Sequence, residues 1–353
     1  MNAPANLPMT VRLANLQDQG EVARIEAFVL ETGASVFHRP LWLRAIERGT
    51  GNTALGLVLE RCGSIAGWLP LNLVHSPLFG RVLVSSGFGV GGGALADRQG
   101  DVDLLCRGAE ELAVRQAATS VELRSEHAPM DWQRIENKHA NFAADLAGDD
   151  EAQLLAIPRK ARAEVRKGLE QPLEVTTGSA GKDRSAHFAA YSQSVRNLGT
   201  PVFPRALFDA VLELFGTDAD ILTVWSDGTP VASVLSLYHR ATVMPFWGGG
   251  SFAARGLRAN ERMYYELMRH ARQRGCTRFD FGRSKTDSGP FAFKKNWGFV
   301  PQPLVYRSWT AKSGSQRNID PTDEAYSTKI ELWKKLPLPI ANRVGPWIAR
   351  GLG

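Results

Sequence analysis

The chain has 353 residues, of which 44% are hydrophobic and 22% charged, and this length and composition indicate a globular protein with two domains of ordinary size. The formal net charge of +6 at pH 7 favours anionic partners and permits RNA binding, whereas no DNA partner is expected. The sequence contains no apolar run of about 18 residues, no signal-peptide pattern, and no disulfide or metal-ligand spacing, so a cytoplasmic protein without a membrane span or metal site is expected.

The first half of the chain predicts helices followed by a three-stranded meander. Two runs of alternating apolar and polar residues flank Cys62, Gly63 and Ser64, which suit a hairpin turn. Pro40 suits the first position of a helix that carries Trp42 on its apolar side. In chain order, the predicted elements are a helix at 21–30, a short helix after Pro40, strands at 53–61, 65–75 and 81–85, a helix at about 101–118 and a strand at 119–124.

The second half repeats this order of elements. Asp227-Gly228 takes the place of the first hairpin turn, and Gly248, Gly249 and Gly250 take the place of an earlier glycine-rich segment, at a spacing of roughly 160 residues. The shared order of elements, rather than sequence identity, indicates the repeat. Its elements are strands at 221–226, 230–240 and 241–247, a helix at about 260–274 and a strand at 277–281.

Three antiparallel strands, a glycine-bearing loop, a helix and a returning strand resemble the central order of the GNAT acyltransferase fold. We therefore predict an α/β protein with mixed sheets, built from tandem GNAT-like (acyl-CoA N-acyltransferase) domains with a central cleft. The domain boundary is expected at the polar, glycine-bearing junction around Gly148. The predicted parts are an N-terminal GNAT-like domain at 1–148, a C-terminal GNAT-like domain at 149–312 and an amphipathic tail at 313–353.

A basic segment follows the strand that closes the second repeat. We expect Gly282 to end this strand, and the residues after it, among them Arg283 and Ser284, to form a polar, glycine-bearing loop. Open α/β sheets bind ligands at the carboxyl ends of their strands, and the cations here suit an anionic ligand, usually phosphate. A surface loop with solvated charges is the alternative.

Two further segments carry arginines that suit an anionic substrate. The predicted helix at 157–171 places Arg159 and Arg166, with a third arginine between them, on one face. This helix is either a solvated basic helix or a surface that faces an anion. Arg196 and Arg205 lie on either side of a loop before an amphipathic helix, and each is otherwise a surface or ion-pair residue.

Three pieces near the end of the chain are RFDFGRSK, FAFKKNWGF and PQPLVYR. They resemble the closing motif of FemAB-type proteins, in the subgroup associated with exosortase (PEP-CTERM) and exopolysaccharide systems, and the resemblance extends from about Phe37 to Gly353. It implies an acyl- or aminoacyltransferase that acts on an amine of a cell-envelope or exopolysaccharide precursor. The alternative is a non-catalytic, FemAB-like binding or scaffold protein in an envelope or exopolysaccharide assembly.

In this resemblance, Phe293 and Lys294 occupy the place of the Phe-Lys pair that engages the donor near the reacting ester. Lys294 is then expected to stabilise the developing oxyanion or a donor phosphate from an exposed position, with a solvated lysine as the alternative. Asp280 alternates with its two phenylalanine neighbours and is expected either to act as a base or to hold Arg283 in place. The Asn-Trp-Gly run that follows departs from the family's glycine-aromatic-glycine pattern, which leaves the use of tRNA open.

The segment SFAARGLRAN also resembles the family's segment at this place, where backbone N–H groups at a helix start hold the donor. The usual GNAT phosphate pattern, Gln/Arg-x-x-Gly-x-Gly/Ala, is not met, and this weakens coenzyme A as the donor. No firm cofactor is therefore predicted, and acyl-CoA and aminoacyl-tRNA both stay open as co-substrates. The residues expected to bind the donor are Arg255, Arg258, Asn260, Arg283, Ser284 and Phe293.

Two kinds of anionic partner are expected beside the donor. The acceptor is an anionic small molecule or a lipid-linked glycan, and its expected ligands are Arg196, Arg205, His38 and Arg159. The segment 329–353 interleaves aromatic, aliphatic and basic residues, so it either docks onto the body or lies on an anionic membrane. The expected location is the cytoplasm, with peripheral contact at the inner face of the cytoplasmic membrane.

Overall fold

The computed structural model describes residues 9–76, 80–312 and 324–352, with side chains described from 329 onward in the last range. The chain forms two compact units. Of the described residues, unit 1 holds those up to 136, 304–312 and 350–352. Unit 2 holds 137–303 and 324–349.

The strands confirm the predicted succession and add several that the sequence patterns did not indicate. They are β1 (Met9–Leu13), β2 (Thr53–Arg61), β3 (Ser64–Ser76), β4 (Gly80–Ser85), β5 (Leu95–Ala96), β6 (Ser120–Leu123), β7 (Gln133–Asp145), β8 (Glu174–Gly178), β9 (Ala219–Ser226), β10 (Thr229–His239), β11 (Thr242–Gly250), β12 (Arg278–Lys285) and β13 (Pro301–Thr310).

The helices lie between these strands and after the last of them. They are α1 (Gln19–Glu31), α2 (Pro40–Thr50), α3 (Gln99–Arg115), α4 (Asp150–Ala156), α5 (Arg159–Glu170), α6 (Gly181–Asn197), α7 (Arg205–Phe215), α8 (Ala253–Leu257), α9 (Ala259–Gln273), α10 (Gly289–Asn296), α11 (Glu324–Lys335) and α12 (Leu338–Ala349). None of the helices in the described part of the chain is long and apolar enough to cross a membrane.

The strands of unit 1 pair in the order β1-β2-β3-β4-β6-β13. The pairs from β1 to β4 are antiparallel, β4 and β6 are parallel, and β13 returns antiparallel to β6. Successive residues of β2 face opposite sides of the sheet. Leu57 packs in a core with Leu105 of α3, whereas Val58 packs with Leu43 of α2 and with Trp68. Helices therefore cover both faces of this sheet.

The strands of unit 2 follow the same plan in the order β8-β9-β10-β11-β12-β7. The pairs from β8 to β11 are antiparallel, β11 and β12 are parallel, and β7 is antiparallel to β12. The core of the unit joins Met263 and Leu267 of α9 to Val234 and Phe279 of the sheet. The two units thus share one strand order, which confirms the predicted tandem GNAT-like architecture.

Both predicted hairpin turns are present. Cys62 and Gly63 have φ values of 52° and 79°, and Asp227 and Gly228 have values of 49° and 72°. Two successive left-handed residues define the turn that matches the right-handed twist of a two-stranded hairpin. The turn chemistry therefore fixes the register of β2 with β3 and of β9 with β10.

Each unit contains one strand that lies, in sequence, on the far side of the predicted boundary at 148. These strands are β7 in unit 2 and β13 in unit 1. Residues 137–145 of β7 follow the first repeat in sequence, but they belong to unit 2 and pair with β12. Residues 304–310 of β13 follow the second repeat, but they belong to unit 1 and pair with β6. A boundary chosen from local composition does not detect such long-range pairing.

Close packing between β11 and α6 generates the first prediction. A Cβ atom placed on Gly249 would lie 2.3 Å from Ser194 Oγ and 2.6 Å from Ser194 Cβ. Gly249→Ala should therefore lower the free energy of unfolding by about 1–3 kcal/mol, as overpacked cores do. Urea denaturation measures the loss, and Gly256→Ala is the control because a Cβ there meets nothing within 4 Å. Equal stability of the two variants would contradict this packing.

Candidate active site

The two parallel strands of unit 2 separate soon after they meet. β11 and β12 pair only through Thr242 with Arg278 and Val243 with Phe279. β11 then continues to Gly250 and β12 to Lys285 without a further pair between them in the described structure. The diverging strands leave backbone groups of both edges without the partner that a closed sheet supplies. The separation leaves an opening between β11 and β12 beyond Val243 and Phe279.

A β-bulge shapes the β12 side of this opening. The register of β12 with β7 shifts between Asp280 and Arg283, and Gly282 has a left-handed φ of 64°. The expectation that Gly282 ends the strand is wrong, because the glycine allows the strand to kink and continue. Arg283 and Ser284 therefore lie within β12 and not in a loop.

Lys294 holds the bulge from α10. Its Nζ donates to three successive backbone carbonyls, those of Phe281 (2.7 Å), Gly282 (3.0 Å) and Arg283 (3.2 Å). The residue is only 8% exposed, so the expected exposed position and the alternative of a solvated lysine are both wrong. Ser288 caps the start of α10, since its Oγ accepts from the Phe291 N–H at 3.3 Å. The short helix thereby fixes the lysine over the kink.

The burial of Lys294 changes its protonation. Removal from water lowers the pKa of the ammonium from 10.5 to about 7, while the negative charge of Asp280 acts in the opposite direction. The charged form supplies three N–H groups for three carbonyls, whereas the neutral amine supplies two and a lone pair. The side chain therefore changes its hydrogen-bonding capacity near neutral pH.

Asp280 also stabilises this bulge. Its Oδ1 accepts from the Gly282 N–H at 2.8 Å and from Asn141 Nδ2 at 3.1 Å. Burial raises the pKa of Asp280, and these two hydrogen bonds lower it in part. Asp280 was expected either to act as a base or to hold Arg283 in place. These two hydrogen bonds favour a positioning role, which acts on Gly282 and Asn141.

An aromatic group lies beside the bulge. Phe293 of α10 contacts Tyr264 of α9 with ring centroids 5.6 Å apart, and Tyr264 contacts Phe281 of β12 at 5.0 Å. Burial, followed by the charge of Glu261, raises the pKa of Tyr264 to about 12, so its hydroxyl stays protonated at neutral pH. Sequence reasoning missed Tyr264, because only a helix at about 260–274 was predicted there, with no role for its individual side chains.

The start of α9 is engaged by α5. Arg258 has a left-handed φ of 55° and ends α8, and its guanidinium forms an ion pair with Glu164 of α5. A Cβ on Gly168 of α5 would lie 2.8 Å from Arg258 O, so the two segments are in close contact. Asn260 lies against the last residue of β11, and its buried Oδ1 has no hydrogen-bond partner among the described residues. Arg255 is exposed and lies over the ring of Phe252 at 5.9 Å.

The residues predicted to bind the acceptor lie on several elements. Arg196 Nη1 donates to Lys334 O at 2.9 Å, which ties α6 to α11. Arg205 Nη2 donates to Ser185 Oγ at 2.8 Å. Arg159 is exposed at the start of α5. His38 belongs to unit 1, where its Nδ1 lies 3.0 Å from Ser35 Oγ.

The structure thus gathers one group of the predicted residues and leaves the others apart. The residues gathered at the bulge are Asp280, Arg283, Lys294 and, in the aromatic group, Phe293. Ser284 is next in β12, and its buried Oγ lacks a hydrogen-bond partner among the described residues. Within the described ranges, no cluster of His, Cys, Asp and Glu side chains is arranged to hold a metal ion.

Comparison with known families supports the expected class of enzyme. Residues 158–295 match the family described as an acetyltransferase (GNAT) domain, a region that includes the separated strands, the bulge and Lys294. No curated protein matches the chain in sequence. The match supports an acyltransferase and does not define a donor or an acceptor.

Solved structures share the tandem fold at low sequence identity. FemX has 16% identity and a TM-score of 0.63 over 80% of this chain and 95% of its own. A tandem GNAT protein from the clavulanic acid biosynthesis pathway has 14% identity and a TM-score of 0.57 over 87% and 100%. The C-terminal domain of a putative lysylphosphatidylglycerol synthetase from Agrobacterium fabrum has 13% identity and a TM-score of 0.56 over 82% and 92%. These similarities establish the fold.

The role of Lys294 in the bulge predicts a loss of stability on its removal. Lys294→Met leaves three carbonyls without their donor, and each buried polar group left unpaired costs roughly 1–3 kcal/mol. The variant should therefore unfold at a clearly lower urea concentration than the wild type. Lys295→Met is the matched control, because this neighbouring lysine is exposed and surface substitutions usually change stability by less than about 0.5 kcal/mol. Similar urea midpoints for the two variants would contradict the role of Lys294 in stabilising the bulge.

The lowered pKa of Lys294 predicts a dependence of this difference on pH. Between pH about 7 and about 10.5 the unfolded chain holds a proton on Lys294 that the folded chain has released. The free energy of unfolding of the wild type, measured relative to Lys294→Met, should therefore rise with pH across this window and level off below it. Paired urea titrations at several pH values measure the difference. A flat difference would show that the folded lysine keeps its ordinary pKa.

Proposed function

We propose that this chain transfers an acyl or aminoacyl group to an amine of a cell-envelope or exopolysaccharide precursor. The observation that carries the proposal is the opening between β11 and β12, bordered by the bulge that Lys294 and Asp280 hold. It lies within the region that matches the acetyltransferase (GNAT) domain. The association with exosortase and exopolysaccharide systems rests on the resemblance of the closing motifs to FemAB-type proteins.

The reaction joins the amine nitrogen of the acceptor to the acyl carbon and breaks the ester or thioester bond of the donor. The amine loses one proton, and the leaving oxygen or sulfur gains one. Charge develops on the carbonyl oxygen in the transition state, and a nearby ammonium group stabilises it. Lys294 serves this role when the donor carbonyl takes the place of its longest backbone contact, at 3.2 Å to Arg283 O.

The start of α9 favours aminoacyl-tRNA over coenzyme A as the donor. A diphosphate held at a helix start requires free N–H groups and a positive field. Here Glu261 occupies the first turn of α9, and Glu164 already pairs with Arg258. The exposed arginines Arg159 and Arg166 of α5 instead offer positive charge to a longer polyanion.

The acceptor fits a location at the inner face of the cytoplasmic membrane. The similar structures include a domain of a putative lysylphosphatidylglycerol synthetase, whose name describes an aminoacylated lipid. An envelope precursor that is attached to a lipid would present its amine at the inner face of the cytoplasmic membrane. Arg196, Arg205, His38 and Arg159 stay proposed ligands of such an anionic acceptor.

A non-catalytic binding protein is the second candidate. All three N–H groups of Lys294 are used by the backbone, so the lysine can serve the fold alone. In that case the opening would bind an anionic ligand or partner and would catalyse no reaction, while Lys294 only stabilised the bulge.

Transfer of a radiolabelled amino acid from aminoacyl-tRNA to an amine acceptor separates the two candidates. We expect turnover with a mixed aminoacyl-tRNA pool and lipid-linked precursors, and none when acetyl-CoA is the donor. Loss of a preorganised charged contact lowers rates by about a hundred- to a thousandfold. Lys294→Met should show a loss of this size in single-turnover assays normalised to folded protein, and Lys295→Met should keep its rate.

Three outcomes of this assay would count against the proposal. Transfer from acetyl-CoA at comparable rates would exclude the preference for aminoacyl-tRNA. Equal rates for Lys294→Met and Lys295→Met would remove Lys294 from the chemistry. Retention of labelled donor by the protein, without transfer to any amine, would favour the binding protein.

A further inference from the structure

The last helix of the chain, α12, exposes a stripe of large apolar residues. The side of α12 that faces the rest of unit 2 carries the small residues Ala341 and Gly345, which are buried. The opposite side exposes Ile340 (50%), Val344 (40%) and Trp347 (46%). These three residues recur at i, i+4 and i+7 and form one stripe along the helix. A helix that packs on a protein body normally places its large apolar side chains on the buried side.

Small residues and polar contacts attach α11 and α12 to the rest of unit 2. A Cβ on Gly345 would lie 3.0 Å from Val202 N, so this glycine allows the backbones to approach closely. Asn342 Nδ2 donates to Ser192 Oγ at 3.3 Å, and Arg196 ties α6 to the carbonyl of Lys334. The expectation that this segment docks onto the body is met in unit 2. The apolar stripe is not part of that attachment and stays available to another partner.

Basic side chains flank the exposed apolar residues. Leu332 of α11 is 62% exposed, and the next turn carries the exposed Lys335. Arg343 is exposed beside the stripe of α12. Aliphatic residues with a tryptophan and flanking cations are the composition of a helix that lies in the boundary between lipid headgroups and acyl chains. The positive net charge of the chain adds long-range attraction to an anionic surface.

We propose that α12 carries a lipid-docking face, defined by Ile340, Val344 and Trp347 with Arg343, that binds an anionic bilayer surface. The exposed Leu332 and Lys335 of the preceding helix α11 add apolar and basic side chains of the same kind. A second copy of the chain is the less suitable occupant. Stable protein interfaces bury about 800 Å² on each partner and exclude charge from their centre. A single narrow stripe bordered by cations suits a bilayer better. Its apolar side chains insert at the boundary between headgroups and acyl chains, and the cations are attracted to anionic headgroups.

Vesicle flotation tests this face without a donor or an acceptor, so its failure is independent of the proposed transferase activity. The full-length protein is mixed with phosphatidylcholine vesicles or with vesicles that also contain phosphatidylglycerol, at low and at high salt. We expect flotation with the anionic vesicles at low salt and a marked loss at high salt. The variant Ile340→Ser, Val344→Ser and Trp347→Ser should stay at the bottom of the gradient.

Matched variants exclude general effects of surface polarity. Val114→Ser with Met130→Ser changes two apolar residues of unit 1 that are 64% and 89% exposed, and it should float like the wild type. Lys335→Glu with Arg343→Glu should abolish the preference for anionic vesicles. Circular dichroism and melting curves confirm that each variant is folded.

The proposal is overturned if the triple serine variant floats as well as the wild type. It is also overturned if the unit 1 control loses binding to the same extent. Light scattering on the same samples tests the other occupant. A wild-type dimer that becomes monomeric in the triple variant, with no flotation of either, would assign the face to a second copy.

Discussion

One buried ammonium group determines the shape of the candidate site. Lys294 donates to the carbonyls of Phe281, Gly282 and Arg283, and Asp280 accepts the N–H of Gly282. A β-bulge leaves backbone groups without ladder partners, and buried groups of this kind are costly unless a side chain satisfies them. The two side chains therefore stabilise a kink in β12 that a regular ladder would not hold. Because the kink lies where β12 has left β11, it forms one border of the opening.

The same contacts connect the fold to the proposed chemistry. A lysine that braces the strand is held in one orientation, and preorganised charge is effective in catalysis because it needs no rearrangement during the reaction. Its pKa of about 7 places the change of protonation near neutral pH, where acid–base groups of enzymes are most effective. Stability and activity are thus expected to depend on one residue, and the exposed Lys295 separates them from general effects of charge.

The fold could be predicted from local signals, whereas the site could be predicted only in part. The turn at Asp227-Gly228 and the order of the elements predict the meander and its returning strand. Each of these signals lies within one half of the chain. The exchange of β7 and β13 depends on pairing between distant residues, and composition around Gly148 does not show it. The motif resemblance picked out Lys294, but its sequence neighbours do not show that the side chain is buried or that it donates to three carbonyls of β12. Likewise, the exposed stripe of α12 becomes visible only once Gly345 is placed against Val202.

The protonation of Lys294 is the most direct test of this account. The 13Cε and 15Nζ resonances of selectively labelled lysine report the charge of each side chain, and Lys294→Met assigns the signal. A lysine whose ammonium is buried against three backbone carbonyls should titrate with a midpoint near pH 7, because burial disfavours the charged form. A midpoint close to the ordinary value of 10.5 would instead identify a solvated lysine, and both the brace and the catalytic role would then be withdrawn.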